Sequence, residues 1–218
     1  MKFFSGIKIP ILTVLLVVCN CSLFAQISNF RAPSFPLITH DPYFSIWLPD
    51  EIPTNCESTH WTQKPMPIRS MVRIDGEVFR LMGKTPGYVQ AAKSTGTEIT
   101  PTQTVFLYHQ NSVDIRLSFL SPLLVEDLDL VSRPLSYVSW NFVSTDSKPH
   151  NVEVYFEISG LAAIDNNWQQ VVWDRENNQQ LEILKMGSKE QPVLQKSGDD
   201  LRIDWGYLYA AVPISEVK

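Results

Sequence analysis

The stretch that decides the fold class is Val-Arg-Ile-Asp-Gly-Glu-Val-Phe-Arg-Leu-Met, residues 72–82. Two short apolar runs flank the Asp75-Gly76 pair. An Asp-Gly pair between such runs is a strong short-range signal for a β-hairpin. The stretch therefore predicts an antiparallel hairpin with strands at 72–74 and 78–82.

Similar hairpins follow along the chain, separated by short polar turns. Residues 113–119 alternate apolar and polar side chains, which indicates one buried and one solvated face. Long amphipathic helices are lacking, although residues 126–131 and 160–166 could each hold one helical turn. This pattern predicts an all-β fold, an antiparallel and supersandwich-like β-sandwich. The predicted pairs are 102–108 with 113–119, 137–143 with 152–158, and 170–173 with 181–184, followed by strands at 201–205 and 207–212.

The first 25 residues have the organisation of a secretory signal peptide. Lys2 and Lys8 precede an apolar run from Ile9 to Val18, and Ala25 offers a cleavage site. The run is too short for a comfortable membrane span. We therefore expect export to the periplasm or the extracellular space, and no membrane span. A lipoprotein is less favoured, because neither Cys19 nor Cys21 follows a small residue.

Charge and cysteine content exclude some classes of function. Cleavage after Ala25 would leave 193 of 218 residues and change the net charge from −5 to −7. An acidic chain of this kind is a poor partner for nucleic acid, which requires a basic surface. Cys56 would be the one remaining cysteine, so an internal disulfide could not form. It lies in a predicted loop without a feature that would activate its thiol.

Beyond the signal peptide the sequence divides into two regions. Residues 26–70 are rich in proline and aromatic residues and alternate poorly, which predicts an extended segment that wraps a surface or crosses to a neighbour. Residues 71–218 carry the predicted β-sandwich. The apolar run 207–212 lies almost at the end of the sequence. An edge strand or a chain cut in mid-domain would both look like this, and we expect a sandwich that is incomplete at its C-terminal end.

The candidate site lies in the irregular region, where binding residues tend to concentrate. One interpretation is a polar and aromatic wall of a ligand pocket or domain interface, in which Asp41 accepts hydrogen bonds and tryptophan rings stack. In the other, Asp41 caps a turn, His40 bonds to backbone and the rings fill a core. A buried carboxylate would need a specific partner. The candidate residues are His40, Asp41, Tyr43, Trp47, His60 and Trp61.

Signatures of metal or cofactor binding are lacking. The four histidines (His40, His60, His109 and His150) lie far apart in sequence, without the spacing of a metal site. The sequence has neither a nucleophile elbow nor a phosphate-binding or dinucleotide-binding motif. We therefore predict no metal and no cofactor, and the catalytic residues stay open.

The sequence resembles the amino-terminal region of the glutaminase A family, large exported proteins of fungi and of Bacteroidetes-like bacteria. The resemblance covers essentially all of the chain beyond the signal peptide and rests on a combination of segments. These segments are 31–33, 39–47, 60–62, 71–76, 100–102, 119–123, 127–130, 132–134, 136–137, 155–160 and 205–209.

The resemblance implies more than the residues themselves do. It implies a β-sandwich followed by a large α-helical toroid domain, and hydrolysis of glutamine to glutamate and ammonia. It transfers no catalytic residue to this stretch, so we expect the chain to be inactive alone. The alternative is a secreted carbohydrate-binding module, or an accessory module of a glycoside hydrolase, because six tryptophans and seven tyrosines allow stacking on sugars. Coplanar, solvent-facing Trp47, Trp61 or Trp168 would favour that alternative, and burial of all three would argue against it.

Overall fold

The computed structural model describes residues 31–217, and the chain divides into two compact units, residues 1–32 and 33–218. The predicted signal peptide, residues 1–25, lies outside the described residues. Within the described range the second unit holds thirteen strands and only short helices, so the predicted all-β antiparallel fold is confirmed. The strands are β1 (Phe35–Asp41), β2 (Phe44–Leu48), β3 (Thr59–His60), β4 (Ile68–Ile74), β5 (Glu77–Met82), β6 (Lys93–Ile99), β7 (Gln103–Gln110), β8 (Val113–Leu120), β9 (Tyr137–Ser144), β10 (Val152–Ile158), β11 (Val171–Asn177), β12 (Leu181–Ser188) and β13 (Leu208–Pro213).

The helical elements are single turns. Helix α1 spans Leu128–Val131, and 3₁₀ turns span Gly160–Ala163 and Ile214–Glu216. The side chain of Asp127 caps α1 by accepting a hydrogen bond from the backbone N–H of Leu130. The first two elements fall where the sequence allowed one helical turn.

Sheet B, ordered β10–β4–β5, contains the hairpin that decided the fold class. Strands β4 and β5 are antiparallel, with Ile74 opposite Glu77, so the predicted hairpin is confirmed. Both turn residues have positive φ, +50° for Asp75 and +93° for Gly76. Tight two-residue hairpin turns of the I′ type require this conformation, which Asp-Gly pairs adopt readily.

Sheet C, ordered β6–β7–β8–β9, contains the second predicted hairpin. Strands β7 and β8 pair with Gln110 opposite Val113, and the apolar side chains of β8 are buried in strict alternation. Both predictions are confirmed. The edge strand β6 was not predicted, because its sequence Lys-Ser-Thr-Gly-Thr-Glu-Ile offers almost no apolar pattern.

The predicted pairing of residues 137–143 with 152–158 is wrong. Strand β9 pairs with β8, placing Leu117 opposite Trp140, whereas β10 pairs with β4, placing Val72 opposite Val154. The connection between β9 and β10 therefore crosses from sheet C to sheet B instead of closing a hairpin.

Sheets B and C pack against each other and form the two layers of the sandwich. The rings of Trp140 on β9 and Phe156 on β10 meet edge to face, with centroids 5.5 Å apart. The indole Nε1 of Trp140 donates to Ser70 Oγ at 3.0 Å. Tyr108, which is 1% exposed, donates its hydroxyl to the carbonyl oxygen of Leu81 at 2.7 Å. Both buried polar tips are thereby satisfied across the interface.

Sheet A, ordered β1–β2–β3, is built from the proline-rich and aromatic segment. The ladder of β1 and β2 shifts register between Pro36 and Ile38 and again between Thr39 and Asp41. Such irregularities break the two-residue period of a strand, which explains the poor alternation of this segment. Phe35 packs on Phe106 of β7 with ring centroids 6.3 Å apart. Sheet A therefore shares a core with sheet C.

Sheet D, ordered β11–β12–β13, is the most exposed sheet of the described chain. The predicted pairing of 170–173 with 181–184 joins the right two strands, although in the actual register Trp173 faces Met186. Strand β13 is confirmed, but residues 201–205 form no strand. The side chains of Trp173 and Leu184 are 76% and 52% exposed on one face, and Tyr209 is 53% exposed on the other. Both faces of sheet D thus present apolar side chains to solvent.

His150 links the β4–β5 turn to the crossing connection. Its imidazole, 11% exposed, lies 2.6 Å from Asp75 Oδ2 through Nδ1 and 3.1 Å from Asp146 Oδ1 through Nε2. Hydrogen bonds to Asp75 and Asp146 raise the pKa of His150 above its usual 6.5. The backbone N–H of Lys148, together with His150, lowers the pKa of Asp146 to about 2. Only the protonated ring can donate from both nitrogens.

This arrangement predicts a pH dependence of stability. The contribution of His150 is fully present below the ordinary histidine pKa and is lost as pH rises through the higher pKa of the folded state. The contribution of the carboxylates is present above about pH 4 and is lost as pH falls through their lowered pKa. We expect the hydrogen bonds of His150 with Asp75 and Asp146 to stabilise the fold most between about pH 4 and 6.5. An NMR titration of the His150 ring measures its pKa. A value at or below 6.5 would show that His150 does not form these charged hydrogen bonds in solution.

Candidate functional site

The turn between β1 and β2 is organised by Asp41. Its Oδ1 accepts hydrogen bonds from the backbone N–H groups of Tyr43, at 2.7 Å, and Phe44, at 3.1 Å. Aspartate commonly stabilises turns in this way, and Pro42 restricts the backbone between Asp41 and Tyr43. Asp41 is exposed, so its charge needs no buried partner. Asp41 therefore caps a turn, one of the two roles that the sequence left open.

His60 and Trp61 reach the same turn from β3. His60 is fully buried, and its Nε2 lies 3.0 Å from the carbonyl oxygen of Pro42. Trp61 Nε1 donates to that oxygen at 2.7 Å. Because a carbonyl only accepts, Nε2 of His60 carries the proton, and Nδ1 accepts from the Thr62 hydroxyl at 2.9 Å. Burial lowers the pKa of His60, so it is neutral at pH 7. His60 supports the turn and is closed to ligands.

The candidate aromatic residues differ in exposure. Trp47 is half-buried and donates its Nε1 to Ser45 Oγ at 2.7 Å. Tyr43 and Trp61 are 48% and 50% exposed, and Trp168 is 92% exposed. Two of the three tryptophans that would favour sugar binding thus face solvent.

His40 faces a cavity. Its Nε2 lies 2.9 Å from Ser136 Oγ, which lies 2.8 Å from Ser121 Oγ. The imidazole stacks on Phe44, with centroids 5.4 Å apart. Burial lowers the pKa of His40, although the nearby Asp41 opposes the shift. A neutral imidazole bonded to a serine hydroxyl can exchange hydrogen bonds, and protons, with a polar ligand.

The cavity beside His40, here called the His40 groove, has a volume of about 540 Å³. This lies within the range of small-molecule sites, ~300–1,000 Å³. Apolar side chains, polar side chains such as Thr102 and Gln103, and one exposed cation, Arg133, complete its walls. His40 and Asp41 both line it, whereas His60 and Trp61 do not. The groove therefore contains two of the six candidate residues predicted from the sequence.

Ser121 and Ser136 were missed as site residues. They follow β8 and precede β9, so the pairing of those neighbouring strands brings them together. His40 and Ser136 are 96 positions apart in sequence. The predicted pairing of 137–143 with 152–158 left β9 without its actual neighbour β8, so the sequence offered no reason to place Ser136 beside Ser121.

The remaining functional signals are weak. Among residues 31–217, no group of three or more histidine, cysteine or acidic side chains could hold a metal ion. Burial, followed by the charge of Asp50, raises the pKa of the Cys56 thiol to about 11. Cys56 is therefore protonated at neutral pH and not activated as a nucleophile. In the part of the chain that the structure describes, no helix is long and apolar enough to cross a membrane.

Two family profiles match the sequence of the chain. The profile described as Domain of unknown function (DUF5127) matches residues 102–218, more than half of the sequence. The chain belongs to the DUF5127 family. A second profile, Domain of unknown function (DUF4964), matches residues 12–92 of this DUF5127 member. Sheet B takes β4 and β5 from the second region and β10 from the first, so the two regions share one sandwich.

One curated relative carries a functional name. Glutaminase A from Aspergillus oryzae is 28% identical over 171 residues, which cover 75% of this DUF5127 chain and 25% of the Aspergillus protein. The chain thus spans about a quarter of the length of the curated relative that it matches. No solved structure gives a significant match. Of the residues that line the His40 groove, His40 lies in the region matched by DUF4964 and Ser121 in the region matched by DUF5127.

Proposed function

We propose that this chain is the N-terminal β-sandwich part of a larger exported hydrolase of the glutaminase A type, which converts glutamine to glutamate and ammonia. The observation that carries this proposal is the 28% identity to the Aspergillus glutaminase across 171 residues. Alone the chain is not catalytic. An α-helical toroid domain, on the same or a separate polypeptide, supplies the rest of the active site. Residues 1–25 direct the protein to the periplasm or the extracellular space.

The exposed apolar face of sheet D supports the proposal that another domain packs against this sheet. A three-stranded sheet needs an apolar face covered by another element to be stable. Here Trp173 and Leu184 lie exposed on the same face, next to the half-buried Met186. Contiguous apolar patches of this kind mark interaction surfaces. The helical domain covers this face in the proposed enzyme.

The His40 groove supports a ligand-facing role. Glutamine presents an α-carboxylate and a side-chain amide. Arg133 offers a cation for a carboxylate, and His40 and Ser121 offer hydrogen-bond donors and acceptors for an amide. The groove forms one wall of the substrate site, and the helical domain forms the other.

Ammonia release from glutamine tests the proposal. Two proteins are compared: the purified chain, and a chimera in which it replaces the corresponding quarter of the Aspergillus glutaminase. We expect no release by the chain, release by the chimera, and at least a tenfold loss in the chimera with His40→Ala. The matched control is His109→Ala, because the His109 side chain is 45% exposed and lies near the opposite end of β7 from the groove residue Gln103. Turnover by the chain alone, or a folded His40→Ala chimera with full activity, would contradict the proposal.

A further inference from the structure

A second cavity lies away from the His40 groove, around the most exposed tryptophan. We propose that this cavity, here called the Trp168 pocket, binds one ring of a neutral carbohydrate. Its volume is about 250 Å³. This is just below the ~300–1,000 Å³ of drug-sized ligand sites, so it suits a single ring better than an extended ligand. The side chains that matter are Lys64, Asp165, Asn166, Asn167, Trp168 and Arg202.

The first argument is the presentation of Trp168. Its side chain is 92% exposed, an unusual position for the largest apolar ring in a protein. Hydrogen bonds hold the turn below it: Asn166 Oδ1 accepts from the backbone N–H of Trp168 at 3.1 Å. Gln169 Oε1 accepts from the N–H groups of Asp165, at 2.8 Å, and Asn166, at 3.2 Å. A flat ring on a pre-ordered turn is a stacking platform for the apolar face of a sugar.

The second argument is the polar rim. The amide side chains of Asn166 and Asn167 line the pocket, and Asn167 is exposed. Amides both donate and accept hydrogen bonds, which suits vicinal hydroxyl groups. Asp165, also in the lining, is itself held by Lys196 Nζ at 2.7 Å and by Arg202. Asp165 and Asn166 are thus positioned before a ligand arrives.

The third argument concerns charge and selects a neutral sugar. Three cations and three carboxylates of this region pair internally. Lys64 and Arg202 approach Asp200, Arg202 and Lys196 approach Asp165, and Lys196 approaches Asp204. The pocket therefore offers no uncompensated cation to an acidic sugar or a phosphate.

The test is binding of neutral tetrasaccharides to the purified chain. Cello-, manno-, xylo- and galactotetraose are titrated separately, and binding is followed by NMR. We expect at least one of them to bind, with affinity lost at least tenfold in Trp168→Ala and largely kept in Trp168→Tyr. The control is Trp173→Ala, which removes an exposed tryptophan from sheet D and is expected to leave binding unchanged.

The outcomes separate the alternatives. Binding by none of the four sugars, or binding that survives Trp168→Ala, would overturn the proposal. Tighter binding of tetragalacturonate than of galactotetraose would overturn the neutral-sugar assignment. Unchanged thermal melting of Trp168→Ala shows that the loss is not unfolding. Ammonia release plays no part in this test, so its result is independent of the glutaminase proposal.

Discussion

Phe106→Ala is expected to lower the free energy of unfolding by about 4 kcal/mol, within the ~3–5 kcal/mol typical of removing a buried aromatic ring. Phe106 is fully buried at the junction of sheets A and C. Its ring meets Phe35 and Phe119 edge to face, each at a centroid distance of 6.3 Å. Such pairs add ~0.5–1.5 kcal/mol beyond the burial of apolar area. The alanine variant loses both pairs and leaves a cavity between two sheets.

Urea denaturation measures this loss. Phe106→Leu keeps most of the volume, and we expect a clearly smaller loss. Tyr88→Ala is the surface control, because Tyr88 is 91% exposed, and its effect should stay within about 0.5 kcal/mol. The free energy of unfolding of an ordinary domain is only ~5–15 kcal/mol, so Phe106→Ala removes a large part of it. A Phe106→Ala loss as small as that of Tyr88→Ala would show that sheet A is not packed on sheet C in solution.

Hairpins with a local signal were predictable from the sequence. The Asp75-Gly76 turn and the alternation of 113–119 each lie within one short window, and both are confirmed. The β9 and β10 strands were also found, but their partners were not. Apolar patterning says that a strand has a buried face, whereas it does not say which strand lies beside it. The crossing connection between β9 and β10 had the composition of an ordinary turn.

The candidate site was predictable only in part, for the same reason. Asp41 and Pro42 form a turn whose signal is local. The contact of His40 with Ser136, and that of His60 with Pro42, depend on strands that lie far apart in sequence. The two candidate histidines therefore lie in different surroundings, which the sequence did not distinguish. His60 is buried and fully bonded, and His40 faces a groove.

The two cavities have no lining residue in common. The His40 groove combines residues from both matched family regions, so it exists only when the sandwich is assembled. The Trp168 pocket is formed mainly by one turn and by the loop that carries Arg202. Of the residues that line it, Lys64, Asp165 and Arg202 form ion pairs. Stability measurements on those ion pairs therefore test whether the pocket is rigid.

Asp204→Ala is expected to lower the free energy of unfolding by about 3 kcal/mol, near the lower end of the cost of breaking a buried ion pair. The Asp204 side chain is 6% exposed and lies 2.7 Å from Lys196 Nζ. Its Oδ2 also accepts from Gln169 Nε2 at 2.8 Å. Lys196 retains Asp165 and some contact with water, which limits the loss. Gln169 holds the Trp168 turn, so the variant should also loosen that turn.

Urea denaturation of Asp204→Ala against Asp200→Ala provides the matched comparison. The Asp200 side chain is 56% exposed, and exposed ion pairs contribute only ~0–1 kcal/mol. Asp204→Asn keeps the shape and one acceptor oxygen, so we expect it to fall between the two. Equal losses for Asp204→Ala and Asp200→Ala would mean that the ion pairs of this loop are solvated in solution. In that case the turn beneath Trp168 would lose its support, and the stacking platform would not be pre-ordered.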